Sequence, residues 1–369
     1  MSHTTQEKFS SVSVTVHVPA RAAHRYDIPI QRGASLLAGE VITSVIVPCR
    51  ALLLSDDTVD SLYGDRVAAS LTAAGFSVVR HVIPHGEASK SAANLVTLLE
   101  KMAGEQLTRS DCLVALGGGV VGDLGGFASA VYLRGIRFVQ IPTTLLAMVD
   151  ASVGGKTAID LEAGKNLAGA FHQPSLVLID PDLLSTLPAE IFADGMAEVI
   201  KYAFINDRAL FEHLQNADAV TGDGLVELIR LCVEDKRVLV EADETDKGAR
   251  QLLNLGHTVG HAIEACSNFT ISHGSAVAIG MVIITRAAEA RGVCPTGTVK
   301  ALLDLLEKYH LPTECPFTVE QLFAVALSDK KRAGGMITLV VPYGVADSRL
   351  VTVPLDALEG YIRAGLDGE

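Results

Sequence analysis

The stretch Cys112-Leu113-Val114-Ala115-Leu116-Gly117-Gly118-Gly119-Val120-Val121-Gly122-Asp123 decides the fold. Its first five residues form the short apolar run that is typical of a buried parallel strand. The glycines that follow fit the pattern G-x-G-x-x-G at a turn from strand to helix, where bare backbone amides and a helix N-terminus can receive a pyrophosphate. Alone the pattern is weak, because the ordinary fingerprint lies at the first such turn and has an acidic residue about 20 positions downstream.

Four other short apolar runs on either side of this stretch predict further parallel strands: 52–54, 77–79, 138–141 and 176–179. They are bounded by Gly, Pro or Asp, and apolar residues recur at helical spacing in segments between them, such as 65–74 and 92–102. Strands that alternate with helices predict an α/β fold, here a doubly wound, Rossmann-like sheet.

The spacing of apolar residues changes after residue 188. Long stretches with helical spacing dominate from there, namely 225–241, 276–290 and 299–309, and strand candidates are few. A chain of 369 residues is also too long for one ordinary hydrophobic core. We therefore expect two domains, an α/β domain over 1–185 and a mostly helical C-terminal domain over 186–369.

The amino-acid composition limits the partners and the cellular compartment that we expect for this protein. The net charge of −13 argues against nucleic acid or anionic membranes as partners, so an anionic substrate needs a local cluster of Lys and Arg. The polar N-terminus and the absence of any apolar run of about 18 residues predict a cytoplasmic protein. The six cysteines form no C-x-x-C pair and are expected to be reduced thiols.

Three histidines mark a candidate metal centre. His257 and His261 would share one face of a helix, His273 follows closely, and Asn254 precedes them. Neutral imidazole is the commonest protein ligand for zinc. A pair of hydrogen-bonded histidines is an open alternative on spacing alone, because this chain lacks the Glu that follows the first His in zinc-protease helices.

Charged and polar residues also gather near glycines between residues 117 and 174: Asp123, Arg134, Asp150, Lys156, Lys165 and Asn166. Glycines beside a lysine let the backbone approach a ligand while the ammonium reaches a phosphate or carboxylate. Some of these lysines could instead decorate exposed turns. Asp56, after the strand 52–54, could bind a ribose or cap a helix.

Three charged residues on predicted helices also have alternative, non-functional interpretations. Glu198 and Lys201, three residues apart, could form a solvent-facing ion pair. Lys236, in Glu234-Asp235-Lys236-Arg237, could belong to a solvated helix face. Arg250 and Asn254 lie one turn apart just before His257, which favours a common site.

Eight motifs, in order along the chain, resemble those of the 3-dehydroquinate synthase family within the sugar phosphate cyclase superfamily. They are GGGVVGD at 117–123, YLRG at 132–135, IPTT at 141–144, VDASVGGKT at 149–157, GKN at 164–166, AEVIKY at 197–202, LNLGHT at 253–258 and DKK at 329–331. The resemblance runs from about residue 56 to residue 331.

The resemblance implies a lyase of the shikimate pathway that depends on NAD and a divalent metal. Such an enzyme converts 3-deoxy-D-arabino-heptulosonate 7-phosphate into 3-dehydroquinate and phosphate by transient oxidation, β-elimination, reduction, ring opening and aldol closure. It implies Glu198, His257 and His273 as ligands of Zn²⁺, with Co²⁺ possible, and moves His261 to the leaving phosphate.

The resemblance also implies the substrate and cofactor contacts. The phosphate would meet Lys156, Asn166, His261, one of Lys330 and Lys331, and Arg134 from a second copy of the chain, which implies a homodimer. Lys236, Arg250 and Asn254 would hold the substrate carboxylate, and Asp150 and Lys201 the ring hydroxyls. NAD would contact Asp56, Glu87, Lys90, Gly118, Gly119, Val120, Gly122, Asp123, Thr143, Thr144, Lys156, Lys165 and Thr186.

Two alternative activities stay open on the sequence. A sister cyclase, such as an aminodehydroquinate or valiolone-type synthase, differs by a handful of pocket residues. A metal-dependent polyol dehydrogenase resembles this fold but has no need of a phosphate cluster.

Overall fold

A computed structural model describes residues 23–330 and 335–367 of the chain. Within them, the strands are β1 Arg50–Asp56, β2 Ser77–Ile83, β3 Cys112–Gly117, β4 Arg137–Pro142, β5 Lys156–Leu161, β6 Gly164–Phe171, β7 Leu176–Val177, β8 Met336–Gly344 and β9 Asp347–Pro354. Five of them form one parallel sheet in the order β2-β1-β3-β4-β7. The other four form two antiparallel hairpins, β5-β6 and β8-β9.

The α-helices that the structure describes are α1 Ala38–Thr43, α2 Asp57–Val59, α3 Asp65–Ala73, α4 Ala92–Gly104, α5 Gly119–Val131, α6 Ala189–Ile205, α7 Arg208–Gln215, α8 Gly222–Ala242, α9 His257–Cys266, α10 His273–Ala290, α11 Thr298–Lys308, α12 Val319–Lys330 and α13 Ala357–Asp367. A π-helical turn at Asp60–Gly64 joins α2 to α3, and a second occupies Ala147–Ala151. Short 3₁₀ turns lie at Ala34–Leu37, Glu87–Ser89, Tyr132–Arg134, Pro181–Thr186 and Ala249–Asn254.

The sheet is buried on both faces, which explains its short apolar strands. In β1, Leu52 and Leu54 pack in one core with α4 and α5, whereas Leu53 lies in the core on the opposite face with α3. Alternate residues of a strand point to opposite faces, so a doubly covered strand must be apolar throughout. The α/β fold, its five predicted parallel strands and the helix-rich C-terminal region are confirmed.

The order of the sheet reverses between β1 and β3, and this position sets the binding crevice. Their carboxyl ends lie side by side, with Ser55 paired to Leu116 and its hydroxyl donating to the Leu116 carbonyl at 2.7 Å. Ligands of open α/β sheets bind outside the carboxyl ends of the strands at such a reversal. Asp56 and the glycines at 117–119 therefore lie at the mouth of one crevice.

Two antiparallel hairpins were absent from the sequence prediction. β5 and β6 are joined by a two-residue turn at 162–163. β8 and β9 are joined at 345–346, where Ala346 adopts a φ of +62°. Neither turn carries the Asn-Gly or Asp-Gly pair that announces a hairpin. The C-terminal region is thus mostly helical with one added hairpin.

The segment before α1 completes the outer edge of the sheet. Asp27 and Ile30 form parallel bridges to Leu176 and Ile179. The amide of Ile179 donates to the Pro29 carbonyl at 3.0 Å, and the amide of Gln31 donates to the Ile179 carbonyl at 3.0 Å. Because β7 has only two residues, this segment covers most of the hydrogen-bonding edge that β7 would otherwise expose.

All six cysteines are free, as expected, and Cys112, Cys232 and Cys294 are buried. Among the described helices, none is both long and apolar enough to cross a bilayer.

Candidate active site

One carboxylate and two imidazoles converge where α6, α9 and α10 meet. Glu198 is fully buried on α6, and its Oε1 lies 3.5 Å from Nε2 of His257 and 3.5 Å from Nε2 of His273. All three candidate ligand atoms lie within 4.8 Å of one another. Helices α9 and α10 can approach this closely because Gly256, at a φ of +78°, places its backbone where a Cβ would lie 2.6 Å from Met281. Glycine is therefore needed at the start of the ligand helix.

Hydrogen bonds orient both imidazoles toward Glu198. Nδ1 of His257 lies 3.1 Å from the Leu255 carbonyl, and Nδ1 of His273 lies 3.3 Å from Oε2 of Glu264. In each ring Nδ1–H is the donor, since both partners only accept, and Nε2 is directed at the Glu198 oxygen. This is the usual arrangement for a metal-ligating histidine.

The donor set fits a divalent metal. Oε1 of Glu198 is buried and has no hydrogen-bond partner among the described residues, whereas Oε2 accepts from the Lys201 ammonium. A buried carboxylate oxygen without a partner is costly unless a cation occupies the space beside it. Two imidazoles and one carboxylate are a common zinc set that leaves positions open for substrate.

Burial and neighbouring charges keep Glu198 ionised and His257 neutral, the states in which each can bind a metal. Burial raises the pKa of Glu198, but the Lys201 ammonium and the His257 ring outweigh it and hold that pKa at about 2. Burial lowers the pKa of His257 to about 3, so its ring is neutral. Burial also lowers the pKa of His273, but the neighbouring carboxylates of Glu198 and Glu264 outweigh it and raise that pKa to about 10. A metal must therefore displace one proton, from His273.

A second cluster, His261, Glu264 and His273, has similar spacing. Both oxygens of Glu264 are engaged, Oε1 by Lys165 at 3.1 Å and Oε2 by His273 at 3.3 Å. His261 is exposed, and its ring centroid lies 5.5 Å from that of His257. The unpartnered oxygen of Glu198 makes the first cluster the better metal site.

Beside the metal cluster lies a buried ion pair between Asp150 and Lys236. The Lys236 ammonium donates to the Asp150 carboxylate and to its carbonyl, and the Tyr202 hydroxyl donates to the same carboxylate at 3.1 Å. Burial raises the pKa of Asp150, but Lys236 and Lys201 outweigh it and hold the pKa well below its usual range. Lys236 is 5% exposed. The pair is thus a preformed charged wall of the site.

The two non-functional interpretations, a solvent-facing pair of Glu198 with Lys201 and a solvated position for Lys236, are wrong. Glu198 and Lys201 are 0% and 1% exposed, so they are not a solvent-facing pair. Lys236 lies on the buried face of α8, whereas its neighbours Glu234 and Arg237 pair with each other at the surface.

Arg250 is buried next to this wall. Its two terminal nitrogens each donate to the Gly154 carbonyl at 3.1 Å, and its Nε is buried without a partner among the described residues. Gly154, at a φ of +92°, accommodates the guanidinium, because a Cβ there would lie 2.4 Å from it. The Gly154 amide donates to the Tyr26 hydroxyl at 3.0 Å. Asn254 ends the same 3₁₀ turn and is exposed.

Lys156 is held by a residue that the sequence did not single out. Its ammonium pairs with Oδ2 of Asp246, while Oδ1 of Asp246 is buried without a partner among the described residues. Asp246 adopts a φ of +59°, in the loop between α8 and Arg250. A carboxylate therefore sits where the resemblance expects a phosphate.

On the other side of the crevice, Lys90 gathers three carboxylates. Its ammonium lies 2.8 Å from Glu87, 3.2 Å from Asp123 and 3.8 Å from Asp160, and the side chain is nearly buried. Burial raises the pKa of Asp123 to about 6 although Lys90 opposes the shift. Asp160 is an addition to the expected set.

The remaining expected cofactor residues border the same crevice. Asp56 accepts from the Val59 amide at 2.9 Å, so the helix-cap interpretation of this residue is confirmed. Thr143 is buried with its hydroxyl unpartnered among the described residues, and a Cβ on Gly118 would lie 3.0 Å from Thr144. The Thr186 hydroxyl hydrogen bonds to that of Tyr63. The backbone of Gly119, Val120 and Gly122 opens α5.

The other expected phosphate contacts are exposed or lie outside the described residues. Arg134 is exposed in a turn at a φ of +68°, and Asn166 is exposed at a φ of +57° with its amide donating to Asp160 at 2.8 Å. Lys330 ends α12, but its side chain lies outside the described residues, as does the whole of Lys331.

Five residues that the structure brings to the site were not predicted from the sequence: Tyr26, Asp160, Tyr202, Asp246 and Glu264. Glu264 had a signal, because it lies seven residues after His257 on the same helix. Tyr202 had one too, since it follows Lys201 directly. Asp160 and Asp246 lie in stretches whose partners are distant in sequence, so spacing alone could not identify them.

Comparisons with known proteins agree with this geometry. Residues 80–194 match the family model described as 3-dehydroquinate synthase N-terminal, and residues 195–332 match 3-dehydroquinate synthase C-terminal. The 3-dehydroquinate synthase of Enterococcus faecalis (strain ATCC 47077 / OG1RF) is 42% identical over 357 residues, which is 95% of this chain and 98% of that protein.

Two solved structures are also similar. ValA, the 2-epi-5-epi-valiolone synthase from Streptomyces hygroscopicus subsp. jinggangensis 5008 with NAD⁺ and Zn²⁺ bound, superposes with a TM-score of 0.86 at 29% identity, covering 96% of this chain and 100% of that one. A 2-deoxy-scyllo-inosose synthase complexed with carbaglucose-6-phosphate, NAD⁺ and Co²⁺ gives 0.82 at 25% identity, covering 92% and 97%. The family models, the relative at 42% identity and the converging site lead to one conclusion: the chain belongs to the 3-dehydroquinate synthase family.

Proposed function

We propose that this chain converts 3-deoxy-D-arabino-heptulosonate 7-phosphate into 3-dehydroquinate and phosphate, and so serves the shikimate pathway. The observation that carries the proposal is the pair of buried cations, Lys236 and Arg250, beside the carboxylate–imidazole cluster. Buried cations need an anionic partner, and the Nε of Arg250 has none among the described residues. A substrate carboxylate would complete this site, with Asn254 as a further contact.

Glu198, His257 and His273 would hold the metal, zinc or cobalt. When bound, a divalent ion polarises substrate hydroxyl groups and so facilitates their oxidation. The protein supplies the rest: Lys201 holds the second oxygen of Glu198, and the Leu255 carbonyl fixes the ring of His257. These contacts keep the ligands in place before the metal arrives.

NAD would lie across the crevice between β1 and β3. When bound, it would supply a reversible hydride acceptor that is not consumed. The pyrophosphate would meet the amides of Gly118, Gly119, Val120 and Gly122 at the start of α5. Asp56 would bind the adenosine ribose. The other contacts are proposed to be Glu87, Lys90, Asp123, Thr143, Thr144, Lys156, Lys165 and Thr186.

The substrate would fill the space between the two charged walls. Asp150 and Lys201 would contact the ring hydroxyls. Lys156 would exchange Asp246 for the substrate phosphate, joined by Asn166, His261 and a lysine of the pair Lys330 and Lys331. A doubly charged phosphate competes well with one carboxylate for an exposed ammonium, because its charge is larger.

We further infer a homodimer, because Arg134 is exposed on a turn and would reach the phosphate of a neighbouring copy. The division at residue 185 stays our proposal: an NAD-binding α/β domain over 1–185 and a metal- and substrate-binding helical domain over 186–369. A cytoplasmic location is also inferred, and six free cysteines support it.

Phosphate release tests the proposal. The purified chain is mixed with 3-deoxy-D-arabino-heptulosonate 7-phosphate, zinc and substoichiometric NAD, and the product is identified by mass spectrometry. We expect one phosphate and one 3-dehydroquinate per substrate, without net NADH. Net NADH would indicate a polyol dehydrogenase instead, and no release would indicate a sister cyclase with another substrate.

A further inference from the structure

Glu264 touches both cofactor regions at once. It lies in the last turn of α9, one oxygen faces the β5-β6 hairpin, and the other faces α10. Oε1 accepts from Lys165 at 3.1 Å, and Oε2 accepts from Nδ1 of His273 at 3.3 Å. The Glu264 side chain is 5% exposed, so its two oxygens are largely shielded from water.

From these contacts we propose that Glu264 is a positioning residue that orients His273 for the metal and Lys165 for NAD. The proposal rests on the function proposed above. One carboxylate would thereby align a group in each half of the site, although it touches neither substrate nor cofactor itself.

The ring of His273 needs such a partner. It sits at the first residue of α10, where only one side of the imidazole faces Glu198. Because Glu264 accepts a hydrogen bond from Nδ1–H, both the tautomer and the rotation of the ring are fixed. Nε2 therefore points to the metal cluster. Loss of a carboxylate in this position typically weakens metal binding by about 10- to 100-fold.

Phe269, just beyond the C-terminal end of α9, also contacts Lys165. The Phe269 amide donates to the Glu264 carbonyl at 2.8 Å, and the Phe269 ring lies 4.6 Å from the Lys165 ammonium. Phe269 and the residue before it, Asn268, adopt left-handed backbone conformations, with φ of +60° and +50°. The chain thus turns sharply to place the ring over the ammonium, which a random surface contact would not require.

The alignment explains why α9 carries site residues at both ends. His257 opens the helix at the metal, and Glu264 closes it at Lys165. A rigid helix between them transmits the same geometry to both halves of the site.

The experiment measures zinc affinity by competition with a fluorescent chelator, and NAD affinity by calorimetry on the zinc-loaded protein. Both are binding assays without turnover. The variants are Glu264→Ala, the isosteric Glu264→Gln, Lys165→Met and a control, Glu289→Gln. The control carboxylate also uses both oxygens, accepting from the amides of Gly297 and Val299 at 3.1 and 2.9 Å, but lies on α10 away from the metal cluster.

We expect Glu264→Ala to weaken zinc binding by about 10- to 100-fold and NAD binding by roughly three- to tenfold. Glu264→Gln keeps one neutral acceptor and should recover part of the zinc affinity. Lys165→Met should weaken NAD binding while zinc binding stays within about threefold. Glu289→Gln should change neither affinity.

The proposal is overturned if both Glu264 variants bind zinc within about threefold of the unmodified chain, or if Glu289→Gln loses as much. If Glu264→Ala does not fold, Glu264→Gln decides, because it preserves shape. An unmodified chain that binds neither zinc nor NAD would instead refute the proposed function, so the two failures are distinguishable.

Discussion

Replacement of Asp150 by asparagine removes the carboxylate that, among the described residues, hydrogen bonds to the Lys236 ammonium. Lys236 is 5% exposed, so its charge cannot recover hydration by a small movement. The substituted amide side chain would keep the hydrogen bond from Tyr202, the backbone carbonyl would keep its contact to Lys236, and only the negative charge would be lost. The change therefore isolates the electrostatic part of the pair.

We expect Asp150→Asn to lower the free energy of unfolding by about 3–5 kcal/mol, the usual cost of an unpaired buried charge. Lys236→Met should cost less, about 1–3 kcal/mol, because the carboxylate retains the Tyr202 hydroxyl and lies near Lys201. In the double variant, the Lys236 ammonium that Asp150→Asn leaves unpaired is absent. Its cost should therefore stay near that of Lys236→Met, which implies a coupling energy close to the whole cost of Asp150→Asn, about 3–5 kcal/mol.

The assay is urea unfolding of the four proteins, followed by circular dichroism at pH 7 and again at pH 4. The pKa of Asp150 is held below its ordinary value of 3.8, so its contribution is full above pH 3.8 and is lost only as the pH falls through the lower folded value. The cycle should be the same at both pH values. Additive effects of the two substitutions would refute the reasoning, because they would mean that the pair carries no charge interaction.

Four further outcomes are expected. Glu198→Ala should weaken zinc binding by more than about 100-fold, whereas His261→Ala should stay within about threefold; equilibrium dialysis distinguishes them, and equal losses would favour the second histidine cluster. Zinc affinity should rise about tenfold per pH unit between pH 6 and 8, because zinc displaces a proton from His273, whose pKa is raised to about 10; a flat profile in chelator titrations would contradict this. The same raised pKa stabilises the metal-free fold fully below pH 6.5, and this contribution fades as the pH rises through about 10. Gly154→Ala, at a φ of +92°, should destabilise the chain by about 1–3 kcal/mol in thermal melts, and an unchanged melting temperature would show that the loop adapts.

The parallel sheet could be predicted from the sequence because its strands are buried on both faces. Leu52, Leu53 and Leu54 must all be apolar when cores lie above and below them. The two hairpins were not predicted, for the opposite reason. Each has an exposed side, and Ala346 adopts a left-handed turn conformation without the glycine or asparagine that normally indicates one.

The site was predictable where its residues share a helix or a motif. His257 and Glu198 belong to such motifs, and their convergence follows once α6 and α9 pack together. Asp246 was not predictable, because its partner Lys156 is 90 residues away and the pairing depends on the packing of a loop. Periodicity reports which face of an element is buried, but it is silent on which loops meet.

The segment that pairs with β7 has a practical consequence for shortened versions of this chain. A chain that begins at β1 would retain every proposed site residue yet leave the backbone groups of residues 177 and 179 without the donors and acceptors of residues 27–31. It would also lose the Tyr26 hydroxyl that accepts from the amide of Gly154. An open strand of this kind recruits strands from other molecules. Such truncations should be recovered as aggregates, and loss of activity in them would report insolubility and not loss of a catalytic group.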